Sequence, residues 1–340
     1  MMTRTLPLLA ACTLVACAAD IAPQRLRLFK PLPPVMASPD NPLTPEKIDL
    51  GRMLYYENRI SKSQQFSCNS CHPLDSYGVD NEATSLGHKG KRGDRNSPTS
   101  YNAAGHLAQF WDGRAADIEE QAKGPVLNPV EMAMPDEKSV VAVLTSMPEY
   151  VALFKKSFPG ESQPVTYNNM AKAIGAFERK LLTPSRWDKF LNGDKNALTA
   201  AEKDGFNKFY DAGCASCHNG PYLGGSSYQK LGLVKPFPQQ HDLGRYTVTK
   251  SEIDKMTFKV PSLRNIDKTW PYFHDGSVKT LEQAIRLMGQ HQTPKPLTKE
   301  EITAIATFLN SLTGELPADY IKRPKLPAST AKTPKPNTTD

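Results

Sequence analysis

Three patterns of apolar and polar residues succeed one another along the chain. Behind Arg4, residues 6–16 read LPLLAACTLVA, an apolar run too short to cross a membrane as a folded helix and of the kind that directs export. From Leu43 the period becomes helical. LTPEKIDLGRMLYYE and LTAAEKDGFNKFYDAG each open on a helix start, Thr44 with Pro45 and Thr199 with Glu202. Downstream of each comes a second amphipathic stretch, AIGAFERKLLT and AIATFLNSLTG, with apolar faces at Met170, Ile174, Phe177, Leu181 and at Ile302, Ile305, Leu309, Leu312. The two ends lack any period. KPLPPVMASPDNP marks residues 17–42 as a proline-rich tether, and residues 316–340 read as a disordered tail.

The helical pattern is thus present twice, and the segments between its helices repeat too. Pro98, Asn102, Phe110, Asp112 and Gly113 match Pro261, Asn265, Phe273, Asp275 and Gly276 without a gap. The expectation is a mainly α protein made of two domains from an internal duplication, residues 43–184 and 185–315, behind a signal peptide at 1–16.

Cysteine usage says what each copy holds. Of six cysteines, Cys12 lies inside the signal and Cys17 at its end; Cys68, Cys71, Cys214 and Cys217 remain, each pair in Cys-x-x-Cys-His. An exported protein tolerates disulfides, yet no cysteine outside the motifs is left to form one. Zinc would require two distant motifs to converge and would leave the histidines after them without a purpose. Two covalently bound c-type haems account for both features and make each half a cytochrome c-like haem domain. At the signal's end, Leu14-Val15-Ala16-Cys17 resembles the lipobox of bacterial lipoproteins, which implies lipidation of Cys17 and a periplasmic protein anchored to a membrane. Ala16-Cys17-Ala18 offers the alternative of ordinary cleavage and a soluble product; lipidation is the preferred reading. The net charge of +7 comes with no basic run interleaved with aromatics, which argues against nucleic acid and leaves room for a neutral or acidic redox partner.

Where the copies differ, chemistry is expected, since a duplicated carrier needs no asymmetry. Trp111 stands where the second copy has His274, whose role the sequence does not assign. The first copy offers Gln121 and Glu131 downstream; the second offers Met288. A methionine thioether opposite histidine fills a haem's sixth position and raises its potential, as suits electron transfer, although Met is also a common core filler. Met256 and His291 are the competing ligands. His88 sits between Gly87 and Gly90 in a loop able to move, and could serve as a removable lid over the first haem. Glu131 could pass a proton between the oxygens of a bound peroxide at an open iron. His106 and His241 read as ordinary surface or structural residues.

Taken in order and spacing, the two Cys-x-x-Cys-His motifs with GHKG, RNSPT, FWDGR, NPVEM, VPSLRN, YFHDGS and LMG resemble the bacterial di-haem cytochrome c peroxidases from Leu43 to Leu312. The resemblance implies His72 and displaceable His88 on a low-potential peroxidatic haem, with His218 and Met288 on a high-potential one. It implies Glu131 and Gln121 as distal catalytic residues and Trp111 as the electron relay. It also implies a calcium ion between the domains, held by the Asn96 side chain and the carbonyls of Thr269 and Pro271, a set of oxygen ligands that suits calcium. The substrate would be hydrogen peroxide and the donor a small cytochrome c or cupredoxin. Relatives of this type often form a homodimer, though no sequence feature here carries one. The rival within the resemblance is a peroxide-dependent enzyme that oxidises tryptophans of a partner protein. It is disfavoured because that branch carries tyrosine in place of Met288 and lacks the distal histidine. A di-haem electron carrier without catalysis is the rival from another class, disfavoured by Glu131.

Overall fold

The computed structural model describes residues 20–339; the expected signal peptide at 1–16, with Cys12, and the expected lipidation site Cys17 lie outside the described residues. The fold is mainly helical, and its two halves repeat one construction. In the first, the helix Pro45–Tyr55 starts on Thr44, whose hydroxyl accepts from the Lys47 amide, and crosses the helix Tyr167–Glu178. The crossing is close because Gly51 presents no side chain: a Cβ there would stand 1.8 Å from the Ala173 carbonyl oxygen. In the second half, the helix Ala200–Asp211, capped reciprocally by Thr199 and Glu202, crosses the helix Lys299–Asn310. Gly205 makes the equivalent approach, 2.0 Å from the Ala304 oxygen.

Each crossing builds a core. Leu50, Leu54, Tyr55, Met170, Ile174, Phe177 and Leu181 are fully buried in the first. Trp187, Phe206, Ile305, Phe308, Leu309 and Leu312 are buried in the second. The apolar faces expected from helical spacing are those that pack, with Ile302 only partly covered at the margin.

The matched segments between the helices also share their backbone. Asn102 and Asn265 have φ of 61° and 58°, Phe110 and Phe273 of 64° and 68°, and Gly113 and Gly276 of 69° and 63°. Left-handed phenylalanines are costly, and the same cost at the same register in both copies marks one inherited turn. The halves are bound along this repeat. The amides of Asn96 and Lys259, equivalent positions, donate to the carbonyls of His274 and Trp111, also equivalent, at 2.7 and 2.8 Å. One two-stranded antiparallel sheet is present among the described residues, Tyr228–Lys230 with Thr257–Lys259, pairing Tyr228 with Lys259.

Both chain ends depart from expectation. Residues 20–42, read as a tether, instead form a strap: Phe29 is buried against Trp187 and Phe206, Leu32 donates to Asp188, and Met36 donates to the Arg179 carbonyl. The tail from residue 316, read as disordered, returns to the first half. Tyr320 stacks on Phe177 at 5.0 Å, Tyr56 donates to the Ile321 carbonyl, and the Asn337 amide donates to the Lys62 carbonyl. Composition misleads here because a few apolar anchors, Phe29, Met36, Tyr320 and Ile321, fix long polar stretches that have no period of their own.

Candidate active site

Both Cys-x-x-Cys-His motifs fold as a single helical turn, Cys68–Cys71 and Cys214–Ser216, closed by His72 and His218 amides donating to the carbonyls of Cys68 and Cys214 at 2.9 Å. The turn aligns the two cysteines and starts the histidine away from the helix. The four cysteines are unpaired. Burial pushes the thiols of Cys71 and Cys214 up, to about 11 and about 12, so neither is activated for disulfide exchange. His72 places Nδ1 3.2 Å from the Gly78 carbonyl, and His218 places its Nδ1 3.2 Å from that of Leu223. A proton is thereby held on Nδ1, and Nε2 is left with its lone pair for iron. Burial also depresses both imidazoles, which keeps them neutral. This donor set fits two haems, each attached through a cysteine pair and ligated by the following histidine.

Around the first motif, two expected residues come together. His88 is buried rather than displayed among its neighbouring lysines, and its amide donates to the Glu131 carbonyl at 2.9 Å. Gly87 permits this contact, since a Cβ there would lie 2.0 Å from the Val130 oxygen. The Glu131 side chain lines a cavity of about 450 Å³ with Phe110, Arg114, Gly124, Pro125 and Asn128. Asn128 donates to its Oε1 at 2.7 Å. Burial holds the Glu131 carboxyl above the ordinary glutamate range, against the opposing pulls of Arg114 and Asn128. Gln121 is on the same helix, Ile118–Leu127, but does not line this cavity.

Arg114 was not singled out from the sequence. Its guanidinium lies 3.5 Å from the Phe110 ring centroid and bonds both carboxylate oxygens of Asp112 at 3.1 Å. The signal was available: aligned with the second copy, Arg114 falls on Ser277, a divergence as large as that of Trp111 and His274.

Trp111 and Met288 both pack against one apolar cluster of Leu231, Phe237, Met256 and Phe258, so the expected relay from the first half and the expected ligand of the second share a cluster. The Trp111 indole donates to the Asn96 carbonyl at 2.9 Å, and its ring lies 6.4 Å from that of His274. His274 is itself buried and stacks on Phe258 at 4.4 Å. Met256 belongs to the cluster that Met288 packs against, while His291 turns Nδ1 to the Lys235 carbonyl at 2.9 Å. Of the expected calcium ligands, Asn96 donates Nδ2 to the carbonyls of Glu82 and Ala83, bonds that engage the amide nitrogen and not the oxygen. Nearby, Asn81 Nδ2 reaches the carbonyls of Lys268 and Trp270, bringing the strand of chain that contains Thr269 and Pro271 alongside.

An ion-paired chain joins the cavity to the second half. Arg114 holds Asp112, Asp112 accepts from Arg95 at 2.6 Å, Arg95 grips Asp242 through two nitrogens, and Asp242 lies 4.0 Å from His274.

Comparison with known proteins matches both halves of the chain to haem-protein families. Residues 45–196 match the family described as di-haem cytochrome c peroxidase, and residues 203–313 match the cytochrome c family. Cytochrome c551 peroxidase of Nitrosomonas europaea is 49% identical over 311 residues, covering 90% of each chain. Cytochrome c551 peroxidase of Pseudomonas aeruginosa is 44% identical over 335 residues, covering 97% of this chain and 96% of its own. Among solved structures, a MauG-like protein associated with microbial copper homeostasis superposes with a TM-score of 0.76 at 28% identity, covering 86% of this chain and 97% of the other.

Proposed function

The chain belongs to the di-haem cytochrome c peroxidase family, and from that premise we propose how its residues divide the reduction of hydrogen peroxide to water. Two c-type haems, on Cys68 and Cys71 and on Cys214 and Cys217, supply the iron chemistry and two of the electrons in transit. Around them the protein binds, orients and moves protons. His72 would ligate the first haem's iron, and His88 would be the displaceable residue that closes this site. His218 and Met288 would ligate the second haem's iron, and Trp111 would carry electrons between the halves.

Glu131 carries this reading: it is a partly buried carboxyl on a cavity wall that Arg114 also lines. It takes the proton from one peroxide oxygen and returns it to the other, so that water leaves. Arg114 steadies the charge that develops there, while Gln121, on the preceding helix, does not line the cavity and takes no direct part. Asn96 and the carbonyls of Thr269 and Pro271 hold calcium at the junction of the domains. The donor is a small cytochrome c or cupredoxin in the periplasm, where lipid on Cys17 anchors the protein.

The test is turnover by the haem-loaded protein, half-reduced and with calcium present, followed as peroxide-dependent oxidation of a reduced cytochrome c. Glu131→Gln keeps the shape and removes the base, and is expected to lower kcat by about 10²–10⁴-fold. A loss below about threefold, with both haems in place, would show that Glu131 is not the proton carrier.

A further inference from the structure

Lys259 ends the strand Thr257–Lys259 with its side chain buried. Its ammonium donates to the Ala108 carbonyl at 2.8 Å and lies 3.4 Å from His106 Nδ1, and among the described residues no carboxylate pairs with it. An ammonium has three donor hydrogens and no acceptor, so His106 Nδ1 must be the acceptor and the imidazole proton sits on Nε2. That Nε2 is itself buried without a partner. The nearest carboxylate, Asp112, acts on Lys259 only through space and is already bonded by Arg95 and Arg114, so two adjoining buried donors, one of them charged, lack a paired anion of their own.

The surroundings identify which group supplies it. Pro261, two residues on, turns its carbonyl to His218. Val260 is laced to the loop after His218, donating to Ser227 and accepting from Gly225 at 2.9 and 2.7 Å. His106 packs edge-on against Tyr222 at 5.4 Å and so closely on Gly225 that a Cβ there would come within 2.3 Å of the imidazole. The donors therefore lie against the loop that follows the second haem motif. A haem held by this motif would bring two propionate carboxylates, anions able to pair with Lys259. The equivalent of Lys259 in the first half is Asn96, which is neutral, so the charge belongs to one haem and not the other.

We propose that Lys259 binds a propionate of the haem attached to Cys214 and Cys217, that His106 of the first half positions it, and that this buried cation helps to keep the second haem easier to reduce than the first. The proposal rests on the di-haem reading. Reduction adds an electron to the haem, and a fixed positive charge in a medium of low dielectric favours the reduced form.

Spectroelectrochemical titration of the holoprotein tests it, after haem quantitation has shown two haems per chain and two separate reduction waves; failure at that point strikes the di-haem reading alone. In Lys259→Met the reduced-to-oxidised ratio of the high-potential wave at fixed poise is expected to fall about tenfold, a shift of about 59 mV for one electron. Lys259→Arg should restore it, and His106→Phe should move the same wave in the same direction by less. The low-potential wave should stay where it is. If Lys259→Met fails to load the second haem, Lys259→Gln replaces it in the same measurement. An unmoved high-potential wave, a shift of the low-potential wave instead, or an arginine variant that behaves like the methionine one would overturn the proposal.

Discussion

A carboxylate that both takes and returns a proton works best when its pKa lies near the working pH, and Glu131 is moved in that direction by burial. The ionised form accepts the proton, so kcat/KM must fall as pH drops through this pKa. Since burial raises it, the acid limb of the profile should lie above the ordinary glutamate range. Arg114 and Asn128 both pull the other way. Replacing Arg114 with Gln should therefore move the acid limb to higher pH as well as slow the reaction. A slower enzyme with an unmoved limb would place Arg114 away from the Glu131 carboxylate. Glu131 was legible in the sequence through its motif, whereas Arg114 was not. Its neighbour Trp111 drew attention because tryptophan against histidine is a conspicuous change. Arginine against serine at the end of the same matched run carries as much chemistry but resembles an ordinary surface substitution.

At the scale of elements, periodicity was a reliable guide because burial repeats with the helix. Thr44 and Thr199 begin helices, and the faces at Met170 to Leu181 and Ile305 to Leu312 are buried. What periodicity does not contain is how near two helices come. Gly51 and Gly205 read as weak points in otherwise good helices, yet each is the position at which backbone meets backbone. Gly51→Ala sets a methyl against the Ala173 carbonyl, which cannot turn aside as a side chain would, and should destabilise the holoprotein by about 1–3 kcal/mol or more. Gly205→Ala should do the same to the second half. Gly93→Ala, where a Cβ meets nothing within 4 Å, is the control and should leave the denaturation midpoint unchanged. Equal midpoints for Gly51→Ala and the control would mean that the helices can separate without cost.

The molecule as a whole is held together by features that a linear reading divides. The ends were misjudged because each packs on the half to which it is not adjacent in sequence, or across both, and a compositional argument knows nothing of that. The repeat was visible, but its consequence was not: Asn102 and Asn265, equivalent residues of the two halves, both donate their amides to the single hydroxyl of Thr183 at 2.9 Å. All three are fully buried. A hydroxyl oxygen has two lone pairs, so one threonine at the junction of the copies can satisfy both donors and tie the halves at their axis. Thr183→Val keeps the shape and leaves two buried donors unmet, at a cost of roughly 1–3 kcal/mol each. Thr183→Ser retains the acceptor. Equilibrium unfolding of the holoprotein should therefore rank the serine variant near wild type and the valine variant well below, with the halves no longer unfolding together. Identical midpoints for all three would mean that the strap at residues 20–42 and the tail from residue 316, rather than the shared threonine, bind one half to the other.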